Sequence, residues 1–241
     1  MKFYQSSLLK QFDNLLCTIT TKQDDNLAFH VNDDEQRVLQ NHKTLAKKHS
    51  YSYEKLVHMK QIHSNEVRVI TKEEDFFSPS SCDALVTNKR DIPLMVMVAD
   101  CSALLFYDDT QKVIGVVHAG RAGAFNNIVQ NTLHTFSTQF GSKIEDIFVT
   151  IAPAICQECY EVGEEIFIEA QKLQLEYAIQ KKEEKYYLDI RSILESQLLQ
   201  GGVKKEHIEI SPLCNACHTE EYYSYRKEGQ TGRFSGVLML K

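Results

Sequence analysis

The chain has 241 residues, of which 43% are hydrophobic and 25% are charged, and its formal net charge is −6. This balance is ordinary for a soluble globular protein that can bury a sizeable core. The acidic charge and the lack of a Lys/Arg cluster argue against nucleic-acid binding, because that function requires a concentrated basic face.

The first third of the chain predicts short strands and one helix. Asp33-Asp34-Glu35 gives an acidic helix start before the amphipathic repeat of Val38–His49, which predicts the helix. Lys72–Ser81 is predicted to be a polar loop. Four segments predict strands by composition and by their flanking turns: Leu15–Thr20, Leu27–Val31, Leu56–Ile62 and Glu66–Thr71.

Three short apolar runs follow in the middle of the chain: Leu94–Ala99, Ala103–Tyr107 and Val113–Val117. They are mostly aliphatic and too short for helices, which is typical of strands covered on both faces. They bring Cys101 and His118 to strand ends, beside a His-Ala-Gly-Arg-Ala-Gly turn that starts at His118. Reactive side chains beside a glycine turn predict an active site at this place.

The last part of the chain mixes helices and strands. Helical spacing covers Phe125–Phe140, Glu164–Lys172 and Ile190–Gln200, while Glu176–Lys185 reads as a solvated charged stretch. Strands are predicted at Ile147–Ala152, His207–Ile210 and Gly236–Leu240. Because strands and helices do not alternate strictly, the fold class is predicted to be α/β or α+β, with a mixed sheet in one domain over residues 1–241.

Ala99-Asp100-Cys101, followed seventeen positions after the cysteine by His118-Ala-Gly, resembles the signature of the YfiH family. That family has been called both polyphenol oxidase (laccase domain) and purine nucleoside phosphorylase, and some relatives are regarded as peptidoglycan editing factors. The resemblance implies a layered sandwich with helices outside paired sheets. Further blocks match in the same order: Asn26–Asp34, Gln61–Val67, Asp83–Thr87, Tyr160–Gly163, Tyr222–Gly229 and Thr231–Arg233.

The family's metal ligands correspond to His63, Cys101 and His118. Two imidazoles and one thiolate would form a tetrahedral zinc site with its fourth position open, which is the catalytic form. Taken singly, a histidine or a cysteine is more often a core residue, so the resemblance is what favours ligands here. Copper would also bind such a site and is the expected substitute for zinc.

The resemblance implies a purine nucleoside and phosphate as substrates. The expected reactions are phosphorolysis of adenosine, inosine or methylthioadenosine, and deamination of adenosine. Arg226 is the preferred phosphate anchor because Tyr225-Arg226 matches the family's Tyr-Arg pair, with Arg233 as the second candidate. Gln61, in the matched block, is assigned to substrate binding. Asp100 is a candidate general acid/base or a partner of a ligand histidine.

Two departures from the family pattern concern its basic residues. Arg121 and Ala122 stand where the family has tryptophan and arginine, so an anion-binding arginine of that loop is displaced or lost. The family's N-terminal Arg-x-Gly-Gly loop is also missing, and the corresponding Thr18–Asp25 offers only Lys22. Substrate contacts on that side are therefore expected to differ.

Other histidines and cysteines are given structural interpretations. His58 lies five residues before His63, and in an extended segment this odd separation directs the two side chains to opposite faces. Two C-x-x-C pairs, Cys156/Cys159 and Cys214/Cys217, are able to close a structural zinc site. The 54 residues between them and the lack of a Gly-rich knuckle favour free thiols instead.

Alternative functions remain open at this point. Cys101 and His118 also suit a metal-free cysteine hydrolase, and a peptidoglycan-precursor editing factor or a zinc-stabilised binding protein are further alternatives. Laccase activity is not expected, since a multicopper centre uses many His-x-His pairs and this chain has nine histidines in no such pair. The His-x-Glu and Pro-Cys-x-x-Cys pattern of nucleobase deaminases is absent.

The sequence predicts a cytoplasmic protein without a membrane anchor. Its N-terminal residues, MKFYQSSLLKQF, lack the apolar core of a signal peptide. The longest apolar run, about eight residues at Ile92–Ala99, is far too short to span a bilayer. In a reducing compartment the seven cysteines are expected to be thiols, ligands or core residues rather than disulfides.

Overall fold

A computed structural model describes residues 3–72 and 74–241, and strands and helices alternate irregularly along them. The strands are β1 (Leu15–Ile19), β2 (Met59–Lys60), β3 (Val67–Val69), β4 (Ser80–Ser81), β5 (Ala84–Thr87), β6 (Leu94–Val98), β7 (Ser102–Asp108), β8 (Val113–Ala119), β9 (Ile147–Ile151), β10 (Glu161–Val162), β11 (Ile179–Lys182), β12 (Lys185–Leu188), β13 (Ile208–Ile210) and β14 (Phe234–Leu240). The α-helices are α1 (Ser7–Lys10), α2 (Glu35–His49), α3 (Arg121–Phe125), α4 (Ile128–Phe140), α5 (Glu164–Lys172), α6 (Ile190–Gln200) and α7 (Tyr225–Glu228).

The larger sheet has six strands in the order β13-β9-β7-β8-β5-β3. Its two outer pairs, β13 with β9 and β3 with β5, are parallel, while the central pairs are antiparallel. A second sheet has the order β1-β14-β6 and is antiparallel throughout. The predicted mixed sheet is therefore confirmed, and its strands β7 and β8 contain two of the apolar runs predicted around Cys101 and His118.

The two sheets pack face to face, and the alternation of side chains along β6 shows how. Leu94, Val96 and Val98 share a buried cluster with residues of the six-stranded sheet. Met95 and Met97 point the other way, into a cluster formed with helix α2. Because successive strand residues face opposite sides, one strand contributes to two apolar interfaces, and β6 is buried along its whole length.

Helices cover the outer faces of both sheets. Leu45 and Ala46 of α2 pack on the three-stranded sheet, and α4 and α6 pack on the six-stranded sheet, for example through Phe136 and Leu194. The layers therefore run helix, sheet, sheet, helix, which is the sandwich implied by the resemblance. None of the helices in the described ranges has both the length and the apolar character needed to cross a membrane.

The predicted helix Phe125–Phe140 is confirmed over Ile128–Phe140, which is α4. Its first residue, Phe125, instead ends the separate helix α3, because Asn127 adopts a left-handed backbone with φ of 58° between the two helices. The side chain of Gln197 on α6 holds this break by donating to the carbonyl of Ala124 and to the Oδ1 atom of Asn127. The helical spacing continues across the break, which is why the sequence does not reveal it.

Three predicted segments differ in the structure. Leu27–Val31 is not a strand, because the side chain of Asn26 bonds to the backbone of Ala28 on both its N–H and its carbonyl and turns the chain. Leu56–Ile62 contains only the two residues of β2. Glu176–Lys185 is largely exposed, as predicted for a solvated charged stretch, but it also forms β11 and the start of β12, which pair as a hairpin.

Candidate functional site

A cavity of about 350 Å³ opens at the end of the two sheets where β6 passes into β7. Its volume lies in the range of sites for small organic ligands. Every residue that the sequence assigns to the site lies on its wall, together with residues that the sequence analysis did not assign. The polar and ionisable lining residues are His30, Gln61, His63, Asp100, Cys101, His118, Tyr160, Tyr225, Arg226 and Arg233.

The fold brings His63, Cys101 and His118 together from three separate segments. Cys101 lies in the short crossing between β6 and β7, and His118 lies on β8, next to β7 and opposite Ala103. His63 comes from the loop between β2 and β3, and its ring meets that of His118 edge-on with 4.8 Å between the ring centroids. One ligand atom of each of the three residues lies within 4.8 Å of the other two.

Asp83 orients this cluster, and the sequence analysis did not identify it. Its Oδ1 atom accepts hydrogen bonds from Nδ1 of His118 at 2.8 Å and from the backbone N–H of His63 at 3.0 Å. Its Oδ2 atom accepts from the backbone N–H and the hydroxyl of Ser64, both at 2.7 Å. Since Nδ1 of His118 is engaged, its Nε2 atom is the one left for a ligand.

The electrostatics of the cluster favour a thiolate. Burial raises the pKa of the Cys101 thiol, but the neighbouring His118 and His63 outweigh this and lower the pKa to about 6. Burial likewise lowers the pKa of His118, yet Cys101 and Asp83 raise it to about 9. Burial opposes ionisation of Asp83, but the hydrogen bonds from His118 and Ser64 lower its pKa to about 2. Thiolate and carboxylate therefore flank one imidazole.

The three residues fit a zinc ion by chemistry and by arrangement. Two imidazoles and a thiolate are ligands that Zn²⁺ prefers, and three protein ligands leave the fourth position open. His63 is exposed, Cys101 is half-buried and His118 is buried, so the cluster borders the cavity instead of being enclosed in the core. The buried carboxylate on His118 is the usual outer partner of a metal-bound histidine.

Gly120 leaves room for the sulfur of Cys101. A methyl group at this position would lie 2.8 Å from the Sγ atom of Cys101 and 3.4 Å from Cδ2 of His63. We expect Gly120→Ala to displace the sulfur and to weaken metal affinity about tenfold or more, as loss of other supporting groups does. Metal affinity measured by competition with a chelator tests this.

Gly141→Ala is the matched control for Gly120→Ala. Gly141 ends α4 with φ of 70°, and a methyl group there would meet no other atom within 4 Å. Alanine should therefore reduce stability by about 1 kcal/mol through backbone strain and leave metal affinity unchanged. Equal metal affinity in the Gly120→Ala protein and the parent would show that the close approach to Cys101 does not matter.

Asp100 is held by the loops around it. Its backbone is left-handed, with φ of 86°, which is unusual for a residue with a side chain. Its carboxylate accepts hydrogen bonds from Nδ2 of Asn215 at 3.0 Å, from the hydroxyl of Ser224 at 2.7 Å and from the backbone N–H of Arg226 at 2.6 Å. The carboxylate thereby joins the Cys101 crossing to the segments that carry Asn215 and Arg226.

Both candidate arginines face the cavity. The exposed Arg226 places its guanidinium 5.0 Å from the ring centroid of Tyr160 and donates to the carbonyl of Glu161 at 2.7 Å. Arg233 is half-buried and donates from Nη1 to the carbonyls of Thr231 and Gly232. In these bonds each arginine uses only some of the five N–H donors of its planar guanidinium. The two cations lie on a wall that also contains the Cys101 sulfur.

Gln61 lines the cavity, but its amide bonds to backbone. It donates from Nε2 to the carbonyl of Met97 at 2.7 Å and accepts at Oε1 from the N–H of Met97 at 2.9 Å. These two bonds imitate a strand pair and fix the end of β6 against the loop of His63. Both polar groups of the amide are therefore engaged with the backbone, and they help to fix the shape of the cavity.

Arg121 and Lys22, the basic residues at the two departures from the family pattern, are not part of the cavity wall. Arg121 pairs with Glu169 at 2.6 Å and lies over the ring of Phe125. Lys22 pairs with Glu228 on the short helix that carries Arg226.

His58 is buried and bonds through Nε2 to the carbonyl of Phe76, which fits the structural interpretation of this histidine.

His30, Asp83 and Tyr160 border the site without having been assigned to it. His30 and Tyr160 line the cavity, and burial lowers the pKa of His30, with Arg233 acting in the same direction. All three fall in sequence blocks that match the family, and that was the available signal. Their roles depend on which strand ends meet, which no spacing within one block reveals.

Comparisons with known proteins agree with the architecture. Residues 20–241 match the family described as multi-copper polyphenol oxidoreductase laccase. A purine nucleoside phosphorylase of Corynebacterium glutamicum is 38% identical over 216 residues, which cover 89% of this chain and 86% of that protein. An adenosine deaminase from an unknown prokaryotic organism is 31% identical over 226 residues, which cover 88% of this chain and 86% of that protein.

A solved structure shows the same fold. The crystal structure of the hypothetical protein YfiH of Bacillus licheniformis aligns with a TM-score of 0.89 at 26% sequence identity, over 94% of this chain and 93% of that chain. This likeness confirms the resemblance predicted from the sequence motifs and the predicted fold class.

Proposed function

Because this chain belongs to the family described as multi-copper polyphenol oxidoreductase laccase, with relatives named as a purine nucleoside phosphorylase and an adenosine deaminase, we propose that it is a zinc-dependent purine nucleoside enzyme. The proposed reactions are phosphorolysis of adenosine, inosine or methylthioadenosine, and deamination of adenosine. The observation that supports this most is the convergence of His63, Cys101 and His118 in a cavity that also contains two arginines.

His63, Cys101 and His118 would hold the zinc ion. When bound, zinc polarises a substrate oxygen or lowers the pKa of a water molecule toward neutrality. Asp83 fixes the tautomer of His118 and the backbone of the His63 loop, and it remains ionised while it does so. The protein thus supplies an oriented set of ligands instead of relying on mobile side chains.

Arg226 and Arg233 would position the phosphate. In phosphorolysis a phosphate oxygen forms a bond to C1′ of the ribose while the bond from C1′ to N9 of the purine breaks, and the purine leaves with a proton. A planar guanidinium that donates two N–H groups holds phosphate in a defined orientation. The ring of Tyr160 beneath Arg226 limits the directions that this side chain can take.

Asp100 is proposed to position groups and not to transfer protons. Its two carboxylate oxygens already accept three hydrogen bonds from Asn215, Ser224 and Arg226. A carboxylate engaged in this way holds the Cys101 crossing and the Arg226 backbone at a fixed distance. The proton transfers of deamination, in which water adds at C6 of adenine and ammonia leaves, would then involve groups nearer to the metal.

A multicopper centre is not part of this proposal, despite the family's description. Within residues 3–72 and 74–241, three or more metal-binding side chains converge at two places, and one of these contains cysteines alone. The other offers two histidines, which is too few for several copper ions.

The test is to incubate the purified protein with adenosine, inosine or methylthioadenosine, with and without phosphate, and to separate the products by chromatography. We expect free purine base and ribose 1-phosphate products that depend on phosphate, and inosine from adenosine without phosphate. Absence of both product sets at every substrate tested would refute the proposal.

Arg226→Ala should separate the two reactions. We expect the KM for phosphate to rise about 10- to 100-fold, as loss of a charge-assisted hydrogen bond predicts, while deamination of adenosine stays near the parent rate. Lys227→Ala is the matched control, because this neighbouring exposed lysine is not part of the cavity wall. An equal loss of both activities in Arg226→Ala would indicate a structural role for the arginine.

A metal-free cysteine hydrolase is the second candidate, because the Cys101 sulfur lies within reach of the His118 ring, as a nucleophile and its base would. In such an enzyme the thiolate would attack the carbonyl carbon of an ester or amide, and the alcohol or amine would leave with a proton from His118. Water would then hydrolyse the thioester to the carboxylic acid and free Cys101. The two candidates use the same residues but differ in their need for His63 and for metal.

A further inference from the structure

Two C-x-x-C segments follow neighbouring strands of the six-stranded sheet. β9 and β13 are parallel partners, with Ile151 opposite Ile210 at their ends. Cys156 comes five residues after the first of these and Cys214 four residues after the second. Because parallel strands end at the same edge of a sheet, the two loops emerge side by side despite the 54 residues between the pairs.

The four sulfur atoms meet there in one cluster. All four lie within 4.8 Å of one another, with 3.4 Å between Cys159 and Cys217 and 4.0 Å between Cys156 and Cys217. Four sulfurs around a zinc ion at bonds of about 2.3 Å would be about 3.8 Å apart along each edge of the tetrahedron. The observed separations bracket this value.

The cluster does not have the geometry of a disulfide pair. All seven cysteines of the chain are free, and the separations above are well beyond the bonded distance of about 2.05 Å. The backbone N–H of Cys156 donates to the sulfur of Cys214 at 3.2 Å. A sulfur that accepts an N–H bond is oriented and stabilised as a thiolate ligand would be.

We propose that Cys156, Cys159, Cys214 and Cys217 form a second zinc site, and that this site is structural. Four thiolates fill a tetrahedral coordination sphere and leave no open position for water or substrate, in contrast to the three-ligand site in the cavity. Ile155 and Ala216 pack around the cluster and shield one side of it.

The site would cross-link two loops that reach the cavity. Tyr160 directly follows Cys159 and lies under the guanidinium of Arg226. Asn215, between Cys214 and Cys217, is buried and donates to Asp100 and to the carbonyl of Tyr223. The first loop therefore leads directly into a residue of the cavity wall, Tyr160, and the second contains Asn215, which bonds to another, Asp100, so a metal between the loops would fix both.

The test begins with the double variant His63→Ala, Cys101→Ser, which lacks the cavity site. Elemental analysis of this protein, purified without chelator, should still find about one zinc per chain. Adding Cys159→Ser and Cys217→Ser should remove it. The matched control adds Cys17→Ser and Cys82→Ser, two cysteines outside both clusters, and should keep the zinc.

Cobalt provides a readout that does not depend on whether the protein folds with the additional Cys159→Ser and Cys217→Ser changes. The His63→Ala, Cys101→Ser protein reconstituted with Co²⁺ should show the intense thiolate charge-transfer absorption of a four-sulfur site. Four thiols should also stay unreactive to a thiol reagent until a strong chelator is added. Absence of zinc together with reactive thiols, an iron ion in place of zinc, or a disulfide between the pairs would each overturn the proposal.

Discussion

Cys101→Ser is expected to remove the zinc of the cavity site and to abolish purine nucleoside turnover. A serine hydroxyl keeps its proton near neutral pH and is a poor substitute for a thiolate. The fall in metal affinity and in activity should exceed the roughly 10- to 100-fold fall that follows removal of an outer partner of a metal ligand. Elemental analysis and nucleoside assays on the same preparation measure both effects, with Cys17→Ser as the control that keeps metal and activity.

Because the four-cysteine site is expected to retain its own zinc, the change to look for is a loss of about one zinc per chain. Undiminished zinc in Cys101→Ser would rule out the assignment of Cys101 as a ligand.

Alkylation of Cys101 separates zinc catalysis from cysteine catalysis. A zinc-bound thiolate should react slowly, whereas a free thiolate whose pKa is lowered to about 6 should react rapidly at neutral pH. We expect slow labelling of the Cys101 peptide before chelation and fast labelling afterwards, and loss of turnover in His63→Ala. Fast labelling without chelator, combined with a fully active, metal-free His63→Ala protein, would decide for the hydrolase.

Asp83→Asn is expected to weaken zinc affinity about 10- to 100-fold. The carboxylate accepts on both oxygens, from His118 and His63 on one and from Ser64 on the other. An asparagine accepts on one side only, so its NH₂ group would face a donor, either the backbone N–H of Ser64 or that of His63. Because Asp83 is fully buried, we also expect a loss of stability on the order of 3 kcal/mol.

Asp108→Asn is the matched control for Asp83→Asn. Asp108 is also fully buried, and it accepts from the backbone N–H groups of Thr110 and Gln111. It lies at the far end of β7 from Cys101, about 20 Å away for a seven-residue strand. Because both bonds reach the same oxygen, Oδ1, an asparagine can keep them, and the control should leave zinc affinity unchanged. Equal zinc affinity in Asp83→Asn and the parent would contradict the orienting role of Asp83.

The strands of the core could be predicted from the sequence because their signal is local. The apolar runs that became β6, β7 and β8 are short, aliphatic and bounded by polar residues, and their burial on both faces follows from that pattern. The placement of Cys101 and His118 at strand ends needed no knowledge of the sheet order.

The remaining parts of the site depend on the sheet order, which no local pattern encodes. Asp83 precedes β5, and it meets His118 only because β5 pairs with β8. The 54 residues between the C-x-x-C pairs argued for free thiols, yet the parallel pairing of β9 with β13 places the two loops together. Sequence separation is therefore a poor guide where a crossover connection returns the chain to an adjacent strand.

The position of β14 determines when this protein can finish folding during synthesis. This strand pairs with β1 on one side and with β6 on the other, and Leu15 of β1 lies opposite Leu240. At the usual rate of translation, β14 follows β1 by roughly 10 to 40 seconds. During that interval β1, and later β6 as well, expose unpaired edges, which are surfaces on which nascent chains can associate with one another. We therefore expect the nascent chain to be most prone to such association before β14 emerges.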